Sequence, residues 1–376
     1  MKAGVEVTVV DPRGGAADVE LGRFFESCGE SFAQQTPGWC KVIDSMGVDE
    51  PSVLVCRDGA EIIGALPAYR FEGPLGAILI SCAQAGPLGG VACRDSTQRE
   101  AIYAALIRAF RALAADRGCA LATLITNPLW PDRDLCADLL EPDFELENVC
   151  QVLDLEEAVD AEGNFVKSSA NLRRNLKKAL AADLFMDEAQ SAANVAEWYA
   201  IHVERHQKIG ATPLPKGLFT GALAHMVPVG KARFFFVRRA TDGEMVAGSL
   251  NLHHGRVMDA LMPSVRHQYA SLGGNYLLAA HAIRWAKAQG IHYYNWQPSP
   301  PDGGVHRFKR QWGSRDVPYA YLTKITGDAS ALLEGSVEAV RKGYPWHYVV
   351  PYDRIGSRRP EGGVSTRRDA WTAGDA

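Results

Sequence analysis

The stretch RVMDALMPSVRHQYASLGGNYLLAAHAIRWAKAQGIHYYNW, residues 256–296, carries the reading of the fold. Its first seven residues are apolar apart from Arg256 and Asp259 and predict a strand. A glycine pair, Gly273-Gly274, then opens an apolar pattern of helical period expected to run from Leu272 to Gln289, and HYYNW predicts a second strand. Strand, long helix and strand in succession indicate an α/β arrangement.

Upstream, the pattern predicts a helix through WYAIHVERHQKIG, a second near PKGLFTGALAHM, and strands ARFFFVRRA and MVAGSLNLHH joined by the turn TDGE. Downstream come GGVHRFKRQWG at Gly303–Gly313 and a strand in PYAYLTKIT. The first part of the chain repeats this grammar. A strand is expected over Val5–Val10 and a helix from near Pro37. Val53–Cys56 and Ile62–Tyr69 form a hairpin around Asp58-Gly59, a helix covers 97–117, and LATLIT is a buried strand. Gln151–Leu155 reads as the last strand before the junction, and the two halves read as a divergent duplication. The fold class expected is α/β with mixed (α+β) sheets. It comprises domains over 1–160 and 161–327 and a C-terminal extension over 328–376, in which a helix is expected at Ala329–Lys342 and disorder over the last dozen residues.

Composition narrows the function. A net charge of -4, with 22% charged and 47% hydrophobic residues, gives no global field for nucleic acid or anionic membranes. No apolar run reaches the ~18 residues of a membrane span, and the first fifteen residues lack a signal-like apolar segment, so a cytoplasmic protein is expected. All eight cysteines lie within the first 150 residues without a CxxC pair and read as reduced, buried thiols. All ten histidines fall between His202 and His347, which directs attention to the second half for polar chemistry.

In GGVHRFKRQWG, Phe308 and Trp312 lock the backbone while Lys309 projects a fixed positive charge, as needed to stabilise the oxyanion of acyl transfer; a solvated surface lysine is the competing reading. Asp259, isolated in an apolar strand, is a candidate base or amine-orienting carboxylate, or else an edge-strand polar residue. Asn295, Gln297 and Ser299 follow a strand and are placed to line a cleft. His206, at a helix end, is placed to orient substrate. His202 and His206 have the i, i+4 spacing of metal ligands, but HVERH lacks the HExxH pattern and a third ligand, so no metal is expected. Residues 164–182 hold Lys167, Arg173, Arg174, Lys177 and Lys178 and no acid, either a solvated helix face or a clamp for phosphates, with Ser168 or Ser169 as its cap.

The segments QTPGW, GALPAYR, SSANLRRNLKKA, HQKIGATPLPKGLF, GGNYLLAAHAIRWAKAQG and GGVHRFKRQWG occur in this order across about residues 30–325. Together they resemble the FemAB-like branch of the GNAT acyltransferase superfamily. The resemblance implies two tandem GNAT-like domains, the second carrying most of the site, and transfer of an acyl or aminoacyl group onto an amine that is a small molecule or nucleotide-linked. It also implies that Lys309 matches the functional lysine and Arg173 a basic position associated with acceptor phosphate. The donor is open. Acyl-CoA enzymes carry Q/RxxGxG/A, and here Ala270 replaces the first residue and Asn275 the last, leaving Gly273, Gly274 and Asn275 as a partial phosphate cradle, or as glycines that permit close helix packing. Aminoacyl-tRNA is the alternative donor, although no heptad segment forms the long arm of many such transferases. A non-catalytic GNAT-fold binding module is the reading outside enzymology.

Overall fold

The computed structural model describes residues 6–29, 31–83, 88–94, 97–356 and 364–366. The described chain divides into two compact units: residues up to 148 with those from 318 on, and residues 149–317. The linear boundaries at 160 and 327 therefore differ from the spatial ones, which fall inside the strands Phe144–Asp154 and Arg315–Ile325. The reason is pairing. Residues expected to close the first domain pair with Tyr293–Pro298, whereas Tyr321–Ile325, expected in the second, pair with Leu121–Ile125.

In the first unit the hairpin pairs Asp49–Asp58 with Glu61–Gly73 across Gly59-Ala60, Gly59 adopting φ 59°. Gly76–Ile80 and Cys119–Ile125 pair in parallel around the helix Arg99–Asp116, whose Ile102, Leu106 and Phe110 bury against Leu54, Leu66 and Leu124. Each such side chain contributes about 1.5–3 kcal/mol of transfer free energy. The expected helix over Ala329–Lys342 is instead two, Ser330–Leu333 and Val337–Gly343, parted at Gly335, where a Cβ would lie 2.8 Å from the Ala331 carbonyl oxygen. Of the last dozen residues, for which disorder was expected, Ser365 and Thr366 pair in parallel with Leu146 and Glu147, and the rest lie outside the described residues. All eight cysteines are free thiols and all but Cys93 are buried.

The second unit is a mixed sheet in which Leu184–Asp187, Ala232–Arg239, Met245–His254 and Val257–Val265 run antiparallel in sequence. Val257–Val265 then pairs in parallel with Tyr293–Pro298, which pairs antiparallel with Cys150–Asp154. The helix Gly274–Ala288 makes the parallel crossover and buries Leu278, Ala282 and Ile283 against Phe235, Val237 and Met258. Helix Ala192–Lys208 packs on the strands as well, and its Trp198 meets Phe219 and Phe234 edge-on. Ser169 caps the basic helix Ala170–Ala181 by accepting from the Leu172 N–H. Among the described residues no helix is long and apolar enough to cross a membrane.

Candidate active site

The parallel pairing in the second unit is short. It runs Val257↔Tyr293, Met258↔Tyr294, Asp259↔Asn295 and goes no further, although one strand continues to Val265 and the other to Pro298. Each strand carries a left-handed residue just past that point, Met262 with φ 50° and Gln297 with φ 64°. Such a conformation costs a non-glycine residue roughly 1–2 kcal/mol, and it turns the backbone off the ladder. The two strands therefore part after Asp259 and Asn295.

That point of parting is polar. Asp259 is 1% and Asn295 0% exposed, on an interior strand, so the edge-strand reading of Asp259 is corrected. A buried carboxylate needs donors, and Asp259 Oδ1 accepts from Asn295 Nδ2 at 2.6 Å and from Gln297 Nε2 at 2.9 Å. Asn295 Oδ1 in turn accepts from the Gln297 N–H at 3.1 Å, fixing the left-handed turn. The Gln297 carbonyl that the turn exposes accepts from Lys309 Nζ at 2.7 Å, and Pro298 O lies 3.4 Å from the same ammonium. Lys309 is 5% exposed, which removes the solvated-surface reading.

Lys309 lies near the end of a short helix, Gly304–Arg310, that pattern reading did not anticipate. Phe308 from this helix meets Tyr276, Trp296 and Trp312 edge-on, anchoring it to the core beside the lysine. Ser299 Oγ donates to Gln151 Oε1 at 2.8 Å, and Gln151 Nε2 donates to the His306 carbonyl at 3.1 Å. Gln151 was read only as a strand residue, and its full burial is its one functional signal. Neighbouring acids register the negative charge here: burial first, and Asp259 second, push the Cys150 thiol and the Tyr294 hydroxyl well above their usual ranges.

Five expected site residues stand apart from this network. Arg173 is exposed and donates to Ser168 O at 2.5 Å, although its helix meets the lysine helix through Asn171 Nδ2 and Gln311 Oε1. His206 is half-buried with Nδ1 2.8 Å from His202 O, and its ring lies against that of His202. Burial lowers its proton affinity. Gly273, Gly274 and Asn275 form the start of helix Gly274–Ala288. Gly273 is left-handed with Ala179 3.1 Å from its missing Cβ, and Gly274 has Val246 at 3.0 Å, so close packing accounts for both glycines.

Residues 166–310 match the acetyltransferase (GNAT) domain family. The second unit is a GNAT-type acyltransferase domain. The crystal structure of FemX is similar in fold with a TM-score of 0.65, at 10% identity over 84% of this chain and 97% of that one. A DUF2156 C-terminal domain from Agrobacterium fabrum, assigned to a lysylphosphatidylglycerol synthetase, gives 0.54 at 14% identity over 83% and 94%. A conserved protein of unknown function from Bacteroides thetaiotaomicron gives 0.55 at 10% over 82% and 97%. No curated protein matches by sequence. Within the GNAT-type domain, strand, crossover helix and parted parallel strand bring Asp259, Asn295, Gln297 and Lys309 into one connected network.

Proposed function

We propose that the protein forms an amide by moving an acyl group from a thioester or ester donor onto a primary amine, at the parting of the strands Val257–Val265 and Tyr293–Pro298. The observation that carries this reading is the buried cation–carboxylate network there, in which Lys309 and Asp259 are joined through Gln297. In the reaction the amine nitrogen attacks the acyl carbon, a C–N bond forms, and the donor's C–S or C–O bond breaks. The amine loses a proton and the leaving group gains one. Lys309, held by two carbonyls and shielded from water, supplies a preorganised positive charge for the transient oxyanion. Asp259, held by two amides, orients the amine and favours its loss of a proton.

An acyl-CoA is the donor expected for such a domain, and the amine belongs to a small or nucleotide-linked molecule. An aminoacyl-tRNA donor is the second reading, favoured by the exposed cations Arg173, Arg174, Lys177 and Lys178 on one helix beside the lysine helix. Turnover of acetyl-CoA with a panel of primary amines, in wild type and Lys309→Ala, tests the first reading. A fall of about 100-fold with the fold intact is expected, and equal turnover in both removes Lys309 from the mechanism. Loss of activity in extracts on ribonuclease treatment supports the second.

A further inference from the structure

The acyltransferase domain contains a second concave feature that the network does not use. It lies between the last turn of helix Ala192–Lys208 and the chain that runs from Val265 to the turn before Gly273, with Arg205, Lys208, His267 and Glu204 among its walls and Val265 and Ala270 beside them. Its cavity volume is about 230 Å³, smaller than a cleft that buries a whole ligand, so it suits one end of an extended molecule.

Arg205 is the informative residue. A guanidinium has five N–H donors and ordinarily finds a carboxylate, a carbonyl or an aromatic face. Arg205 is half-buried, yet no hydrogen bond, ion pair or ring contact engages its side chain among the described residues. Burial alone pulls its proton affinity below the usual range, with no carboxylate to restore it. The neighbouring Glu204 is exposed on the rim and does not pair with it. Basic residues in a final helical turn commonly serve the carbonyl ends of that helix from solvent. Arg205 departs from this pattern because it is turned into a cleft and still has no partner.

The cleft also has a defined relation to the site. Val265 ends the strand that holds Asp259, so the two lie at most ~20 Å apart along it. A ligand spanning both is extended, with its reacting group at the parted strands and the other end among cations.

We propose that Arg205, with Lys208 and His267, forms an oxyanion subsite that takes a phosphoryl or pyrophosphoryl group at the far end of an extended substrate. The guanidinium grips two phosphate oxygens at once, and Lys208 adds a second charge at the exposed rim. The source of the phosphate, a coenzyme donor or a nucleotide-linked acceptor, rests on the acyl-transfer reading; the subsite itself does not.

Calorimetric titration with inorganic pyrophosphate tests the subsite without any turnover. Wild type is expected to bind it in a salt-sensitive way, Arg205→Ala to bind at least about 10-fold more weakly, Arg205→Lys to recover part of the loss, and Lys342→Gln, at an exposed position in the first unit, to match wild type. Pyrophosphate should raise the melting temperature of wild type and not that of Arg205→Ala, which separates ligand loss from a folding defect. Equal affinity in wild type and Arg205→Ala, or no binding by wild type, overturns the proposal. Titrations of CoA and pantetheine assign the source. A preference for CoA that vanishes in Arg205→Ala places the donor's phosphates in the subsite, whereas equal binding of the two with pyrophosphate still bound places an acceptor's there. A Lys309→Ala enzyme that keeps its turnover would refute the transfer mechanism and leave these titrations untouched.

Discussion

Lys309 and Asp259 both bond Gln297, Lys309 at its carbonyl and Asp259 at its side-chain amide. Charge and shape are therefore separable. Asp259→Asn keeps the volume and removes the charge, but sets an amide against the two amides that Asp259 now accepts from. We expect a fall of about 100-fold or more in kcat with a destabilisation of about 1–3 kcal/mol, read by steady-state kinetics and thermal melts; unchanged kcat would make Asp259 purely structural. A second residue-scale outcome concerns pH. His202 is fully buried and accepts the Leu214 N–H on Nε2, so its proton sits on Nδ1, and burial pulls its pKa down to about 3. The unfolded chain binds a proton near pH 6.5 that the folded chain refuses until about 3, so stability falls as pH drops through that window, by up to about 1.4 kcal/mol per pH unit. The stability advantage of wild type over His202→Gln should shrink on acidification between those values, and a flat difference would show that the ring is not held neutral. Lys309, Asp259, Asn295, Gln297 and Ser299 stand out in the sequence as candidates because each is a polar residue in or beside an apolar strand or an aromatic pair. Gln151 was hidden because glutamine in a strand has no distinctive neighbours. His206 and Arg173 were nominated by position or resemblance, and what surrounds a side chain in space cannot be read from either.

At the level of elements, periodicity located most strands and the longer helices, since alternating or helical apolar spacing survives in the folded contacts. It missed the seven-residue helix Gly304–Arg310, which is too short and too polar to show a repeat and is held by its aromatic packing. It merged the two short helices on either side of Gly335, where a Cβ would meet the Ala331 carbonyl. The parting of the parallel strands was equally invisible, because neither Met262 nor Gln297 is a residue type that announces a left-handed backbone. Glycines hold the packing between elements. A Cβ on Gly248 would lie 2.6 Å from Trp198 Cδ1 and 2.9 Å from Phe236 Cδ1, both ring atoms with little freedom to move. Gly248→Ala should cost about 1–3 kcal/mol by overpacking, seen as a lower denaturation midpoint, while kcat at low temperature stays within about twofold; an unchanged midpoint would mean that the helix Ala192–Lys208 yields without cost.

On the scale of the whole molecule, the duplication-like grammar was legible as two copies of hairpin, long helix and strand. The unit boundaries were not, because a strand's partner is a matter of space. The first unit borrows Tyr321–Ile325 from beyond the second to cover the strand Cys119–Ile125. A chain ending at 317 would leave Cys119–Ile125, a run of seven buried residues, as a bare sheet edge. Such an edge invites pairing with other molecules, so this truncation should run as aggregates on size exclusion, whereas a chain ending at 356 should run as a folded protein. Because the first unit is sewn from both ends of the chain, its amino-terminal portion leaves the ribosome long before the strand that completes it. At about 5–20 residues per second it waits roughly ten seconds or more for that partner. The acyltransferase domain, uninterrupted in sequence, is free to condense in the meantime, so the later-synthesised half of this enzyme is the one positioned to fold first.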